Sequence, residues 1–374
     1  MNDSHHSAAT APLSTDTIRR IPKALLHDHL DGGLRPATVI ELAQDVAEVQ
    51  LPTQDPSELS DWFFQGANTG SLARYLEGFG ATVPLMQTQE SLERIAFELI
   101  EDLHAENVIY TEVRFAPDLH ILGGLNLEQV MKAVLAGLRR GRDTYDTAFG
   151  LIVCSLRNQA PETSLRMAEL AIAFRAEGAV AFDLAGDEVG HPPKDHLRAF
   201  QLCLRENFNI TVHAGEAFGT PSIWQAIQYC GAHRIGHGTR LIEDMVIADG
   251  RVSQMGTLAQ HVLDRRIPLE ICLQSNVHTG ATPSLEAHPF RHFYNEGFRV
   301  TLNTDNRLMS RTTLTDEYEV AHRTFGLSHD DLEVMTLNAL KSSFTDYTQR
   351  VALIRRVIDA SEGRLAGEDR PHTE

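Results

Sequence analysis

The chain has 374 residues, 42% of them hydrophobic and 22% charged, the proportions of an ordinary globular protein with enough chain to bury a large core. Its 33 Lys and Arg stand against 51 Asp and Glu, a formal charge of -18, which repels nucleic acid phosphates and anionic membrane surfaces at long range and favours a neutral small molecule as partner. The four cysteines, Cys154, Cys203, Cys230 and Cys272, form neither a CxxC pair nor a disulfide framework and read as buried thiols.

Residues 1–18 are small and polar and read as a flexible tail, as do residues 363–374; residues 19–362 read as a single domain. The start lacks a basic segment followed by an apolar one, and no later run is apolar for about 18 residues, so a cytoplasmic protein with no membrane partner is expected. Short β-rich apolar runs then alternate with longer segments of helical period. The first strand is "KALLHDHL" (23–30). From about Asp55 to His104 an extra helical pattern intervenes, in which Leu72, Tyr75, Leu76 and Phe79 fall at i, i+3, i+4 and i+7 of one helix face.

Seven further strands follow: "VIYTEVRFA", "AFGLIVCSL", "AVAFDLAG", "NITVHAG", "HRIGHG", "IPLEICL" and "FRVTLNTD". Helical stretches such as "EQVMKAVLAGLRRGRDTY" and "PETSLRMAELAIAFRAEG" separate them. Eight strand-then-helix units predict an α/β fold of the (β/α)₈ barrel type, with an enlarged helical insertion after the first strand lying over the active-site face. A doubly wound open sheet is disfavoured because no glycine-rich phosphate turn follows the first strand.

Polar residues gather at the C-terminal ends of these strands. Among 18 histidines, random placement would give about one HxH, so "HDH" is weak evidence alone. In a strand, however, residues i and i+2 share a face, which aims His27 and His29 together and Asp28 away. Other strands end in His213 and Glu216, in His237, in Asp305 and Asn306, and in "DLAGDE" with Asp183, Gly186, Asp187 and Glu188. In a parallel barrel such ends converge on the rim where catalytic groups are found. One strand-end histidine is ordinarily a hydrogen-bonded structural residue. Three, with an aspartate from a fourth strand, form a ligand set suited to Zn²⁺, and the lack of clustered cysteines points to a catalytic ion that activates water.

The motifs "LLHDHLDG", "TEVRFAP", "DLAGDE", "TVHAGE", "RIGHG", "LEICLQSN" and "LNTDNRLMS" occur in the order found in adenosine deaminases, and the chain closely resembles the bacterial type of that family from about Lys23 to Phe344. The resemblance implies a (β/α)₈ barrel holding one zinc ion through His27, His29, His213 and Asp305. It implies hydrolytic deamination of adenosine and 2′-deoxyadenosine to inosine and 2′-deoxyinosine plus ammonia. In that scheme Glu216 protonates purine N1 as a metal-bound hydroxide attacks C6, while His237 and Asp305 orient that oxygen.

For the substrate, the resemblance implies contacts from His29, Asp31, Gly186 and Asn306. Asp31 would accept from the ribose 5′-hydroxyl and repel a 5′-phosphate. The Gly186 N–H would meet N3, and the Asn306 amide would donate to N7, where the animal version of the motif has an aspartate that must first carry a proton. Part of the Leu72–Phe79 face, with Leu156, would form an apolar lid. The partner implied is a purine nucleoside; the number of copies in the assembly stays open. Two other readings remain: a deaminase of adenine or an N6-substituted purine, and a nucleoside-binding protein without chemistry. The H-x-E and PCxxC arrangement of the cytidine-deaminase fold is absent.

Overall fold

The computed structural model describes residues 12–368. The expected tails at 1–18 and 363–374 lie outside those residues at 1–11 and 369–374, and inside them the structure corrects the expectation. Thr15–Arg20 is a helix, capped where the Ser14 hydroxyl accepts from the Thr17 N–H, and its Ile18 side chain is buried. At the other end the helix Tyr347–Glu368 continues past residue 363. An apolar anchor and a cap outweigh the polar composition of the first segment.

Eight parallel strands form the barrel: β1 (Lys23–His29), β2 (Val108–Phe115), β3 (Ala148–Leu156), β4 (Ala179–Ala185), β5 (Asn209–Ala214), β6 (Arg234–His237), β7 (Leu269–Ile271) and β8 (Val300–Leu302). They pair in chain order. A parallel bridge between Asp28 and Asp305 joins last to first, through His29 N–H donating to Asp305 O at 2.7 Å and Asp305 N–H donating to His27 O at 3.0 Å. Lower down, the ladder is completed by a side chain, the Leu26 N–H donating to Asn303 Oδ1 at 2.9 Å. The expected (β/α)₈ barrel is therefore present, and its closing seam runs through three of the predicted metal ligands.

The insertion after β1 comprises Pro56–Ala67, Leu72–Tyr75, Leu76–Gly78, Phe79–Thr82, Val83–Leu85 and Gln89–Ala105. The single helix face expected over Leu72 to Phe79 is instead a chain of one-turn pieces, in a stretch broken by Gly78, Gly80 and Pro84. A hairpin, Met245–Ala248 with Arg251–Met255, extends the β6 connection. Its Asp249-Gly250 tip has φ of 51° and 72°, the type I′ conformation that an Asp-Gly pair adopts. Among the described residues no helix is long and apolar enough to cross a membrane.

The helices Gln89–Ala105 and Leu127–Tyr145 pack at very short range because Gly137 and Gly141, one turn apart, present bare backbone. A Cβ on Gly137 would collide with the Glu93 carbonyl oxygen and lie 2.8 Å from Ala96 Cβ. Gly137→Val is therefore expected to lower stability by about 1–3 kcal/mol through overpacking, measured by urea denaturation; an unchanged midpoint would show that the helices can separate freely.

Candidate active site

Strand parity aims the two β1 histidines at one point. On β1, Asp28 turns away, accepting from Thr304 Oγ1 at 2.9 Å and Arg307 Nε at 3.1 Å, while His27 and His29 both face the barrel mouth. His29 Nε2 lies 3.2 Å from His213 Nε2 and 3.4 Å from Asp305 Oδ1, and His27 Nε2 lies 3.3 Å from Asp305 Oδ1. Asp305 and His237, at the ends of β8 and β6, have φ of 61° and 62°, left-handed conformations that cost about 1–3 kcal/mol each at a residue other than glycine. The turn swings each side chain over the mouth.

Beneath these groups lies a shell of buried charge. His27 Nδ1 is 2.8 Å from Glu270 Oε2, and His213 Nδ1 is 3.0 Å from Asp183 Oδ2. The fully buried Arg114 donates to both carboxylates, at 2.9 Å to Asp183 and 2.8 Å to Glu270. Glu270 also accepts from Thr211 Oγ1 at 2.9 Å and Arg234 Nε at 2.6 Å. Burial works to raise its pKa, but the Arg114 and Arg234 guanidiniums hold it well below the usual carboxylate range. An ionised carboxylate on each Nδ1–H leaves the Nε2 lone pairs of His27 and His213 aimed into the cluster. His27 Nε2 is buried there with no hydrogen-bond partner. One unpartnered imidazole nitrogen, two more that meet each other, and a carboxylate oxygen within contact distance fit a divalent cation.

Four side chains, His27, His213, His237 and Asp305, offer ligand atoms within 4.8 Å of one another, a set that exchanges the predicted His29 for His237. The hydrogen bonds argue against His237 as a ligand. His288 Nδ1 accepts from the Phe290 N–H at 3.0 Å, so its Nε2 carries the proton and donates to Asn276 Oδ1 at 3.2 Å. Thr239 Oγ1 donates to the same oxygen. Asn276 is thereby oriented with its amide NH₂ toward His237 Nδ1, at 3.0 Å, which keeps the His237 proton on Nε2. That nitrogen is a donor, not a lone pair.

His237 Nε2 lies 3.6 Å from Glu216 Oε2. The Glu216 carboxyl is 4% exposed, its Oε1 lacks a partner, and its pKa is pushed well above the usual range by burial first and then by the charges of Asp305 and Glu188. Glu188 fixes the loop that carries it, accepting the backbone N–H groups of Gly215, Glu216, Ala217 and Phe218 at 2.7–3.0 Å.

These groups open into a cavity of about 230 Å³ lined by His29, Asp31, Gly186, His213, Glu216, His237, Asp305 and Asn306, and on its apolar side by Leu72, Tyr75, Leu76, Phe79 and Leu156. His27 lies beneath it. Every residue expected from the sequence to touch substrate is thus in one place, and the broken helical turns of the insertion wall it in. Asp31 is buried, with Oδ1 unpartnered and a pKa pushed up to about 7 by burial. Gly186 has φ of 94°, a conformation that only glycine adopts freely. Gly32 makes room for Asn306, because a Cβ there would overlap the Asn306 amide oxygen.

The sequence reading missed Arg114, Glu270, Ser275 and Asn276. Ser275 Oγ donates to Asp305 Oδ2 at 2.6 Å. For Arg114 and Glu270 the signal was a charged residue inside a largely apolar strand, as in "TEVRFA" and "LEICL"; Ser275 and Asn276, on the helix Leu273–His278, carried no such signal.

A profile of the family described as adenosine deaminase matches residues 22–360. The chain belongs to the adenosine deaminase family. It is 50% identical over 364 residues to an adenosine deaminase of Mycobacterium sp. (strain JLS), covering 96% of this chain and 100% of that one. It is 47% identical over 367 residues to adenosine deaminase 1 of Streptomyces coelicolor, covering 97% and 92%. Among solved structures, the adenine deaminase from Arthrobacter aurescens superposes with a TM-score of 0.81 at 24% identity, over 91% of this chain and 99% of that one, a likeness of fold. The N6-methyl-AMP deaminase of Arabidopsis thaliana superposes with a TM-score of 0.79 at 27% identity, over 94% and 100%. The protein is accordingly a hydrolytic deaminase that acts on adenosine; its family is metal-dependent, and the buried His and Asp cluster of this chain could hold a metal ion.

If the carboxylates beneath the cluster orient the ligands, Glu270→Gln and Asp183→Asn each weaken metal binding about 10- to 100-fold. Competition with a chromophoric chelator reads this directly. Wild-type affinity in both variants would show that the imidazoles need no support.

Proposed function

We propose that the deaminase converts adenosine and 2′-deoxyadenosine to inosine and 2′-deoxyinosine plus ammonia, around one zinc ion held by His27, His29, His213 and Asp305. When bound, zinc supplies positive charge and acidifies water to a pKa of about 7, making a nucleophile available at neutral pH. The remaining work falls to side chains. Glu216 keeps its proton in the buried cavity and donates it to purine N1, which makes C6 electrophilic. His237, with its proton on Nε2, orients the attacking oxygen as a donor. Asp305 is held by Ser275 so that its other oxygen faces the cluster.

Asn306 presents its amide to N7, the Gly186 N–H meets N3, and Asp31 accepts from the 5′-hydroxyl. The observation that carries the choice of a nucleoside is the cavity wall: it contains Asp31, Asp187, Glu216 and Asp305 and no Lys or Arg. A 5′-phosphate would meet carboxylates with no Lys or Arg side chain to pair with, a desolvated anion beside like charge.

Relative kcat/KM values over adenosine, 2′-deoxyadenosine, adenine, N6-methyladenosine and AMP, with metal analysis of the same sample, test the reading. Both adenosines are expected to exceed AMP at least 100-fold and the metal to be zinc at one per chain; equal rates with AMP would overturn the role of Asp31. Glu216→Gln is expected to lower kcat by about 10²- to 10⁴-fold.

The pH dependence has a definite sign. A raised carboxyl pKa keeps the active, protonated form of Glu216 above the usual range, so activity through this group is full at lower pH and is lost as pH rises through the raised value. The alkaline limb of the wild-type profile should therefore be missing from the residual activity of Glu216→Gln. An identical limb in both would assign it to another group.

A further inference from the structure

The opposite, N-terminal rim of the barrel carries a second cavity, of about 410 Å³. Asn209, Arg234, Pro268 and Arg299, at or next to the starts of β5 to β8, form its floor, and residues 341–344 form one side. Arg265, Arg266, Arg299 and Lys341 all line it, and no Asp or Glu does. Arg234 lines it too, but its charge is met by Glu112 and Glu270 at 2.6 Å each. The other four cations make no ion pair among the described residues.

Further features point the same way. Arg299 is half-buried, and its Nε has no hydrogen-bond partner. Burial lowers its pKa, and the neighbouring Arg266 charge adds to the effect; Arg266 itself donates to the Gly297 carbonyl oxygen, a neutral acceptor that leaves both charges without a counter-ion. His233 Nδ1 accepts from the Ile210 N–H at 3.0 Å, which leaves the ring proton on Nε2 as another donor in the wall. The hydroxyls of Ser342 and Ser343 are engaged by the Asn338 and Leu340 carbonyls. Arg265, Arg266 and Lys341 are solvent-exposed and Arg299 is half-buried, yet they surround a concave space; cations on a convex surface would need no explanation. Four unpaired cations around a concave space, on a chain of formal charge -18, are a different matter. A concentrated positive field in a chain that is negative elsewhere selects an anion, and guanidinium forks suit phosphoryl oxygens.

We propose that this cavity is a binding site for a phosphoryl-bearing anion, separate from the deaminase site. Its side-chain charge is the reverse of that site, whose lining has carboxylates and no Lys or Arg, so a phosphorylated compound excluded from one rim is accepted at the other. The wall is wider than one phosphate requires, leaving room for a sugar attached to it.

Calorimetric titration of the holoenzyme with inorganic phosphate and with ribose 5-phosphate, each repeated with inosine saturating the deaminase site, tests the proposal. Saturable one-site binding is expected for at least one probe, unaffected by inosine and weakened by added chloride. Tighter binding of ribose 5-phosphate identifies a sugar phosphate as the ligand, and equal binding identifies free phosphate. The double substitution R266Q/R299Q should weaken binding at least tenfold, and Lys341→Gln, at an exposed position, at least threefold, with circular dichroism melting confirming that each variant is folded. Arg198→Gln, which lines neither cavity, should bind as wild type does. Absence of saturable binding, displacement by inosine, or undiminished affinity in folded R266Q/R299Q or Lys341→Gln would overturn the proposal.

Discussion

Arg114 is the point on which the site depends. Its guanidinium, with no solvent exposure, bridges Asp183 and Glu270, and each of those carboxylates holds the Nδ1 of a histidine in the cluster. Burying such charges costs several kcal/mol apiece unless geometry and hydrogen bonding offset it. The balance extends upward. Glu112, Asp183 and Glu270 face Arg114 and Arg234, three negative charges against two positive, and Asp305 adds a further negative charge at the mouth. The formal excess of two matches the charge of one divalent cation, which would complete an electrostatic arrangement the fold has already built. Losing one carboxylate would disturb ligand orientation and charge balance together.

The barrel seam provides the second constraint. A sheet must close somewhere, and here it closes through backbone bonds between Asp305 and the His27–His29 segment. The hydrogen bonds that make the last strand neighbour the first also fix the spacing of three donor side chains. Left-handed backbone at Asp305 and His237 is tolerated because the surrounding ladder over-determines it. Strain of this kind is affordable at the end of a strand, where the chain must turn in any case.

Much of this was legible in the sequence because period and position carry it. Alternation on β1 told His27 and His29 from Asp28, and eight apolar runs ending in polar groups predicted both the barrel and the rim where the site lies. What stayed hidden depends on contacts between residues distant in the chain. Glu270 and Arg114 look like odd charges inside apolar strands until they meet across the barrel. The orientation of His237 follows from a relay through Asn276 and His288 that no spacing reveals. The hairpin at Asp249-Gly250 had a readable turn signal, and the helix Thr15–Arg20 had a readable Ser cap. The Ser cap was outweighed by the polar composition of residues 1–18.

X-ray absorption at the metal edge counts the imidazoles that bind the metal. Three imidazole scatterers with oxygen completing the shell are expected, and the same count in His237→Ala, because Asn276 keeps the His237 proton on Nε2. A count that falls by one in His237→Ala would contradict this, as would sulfur in the shell.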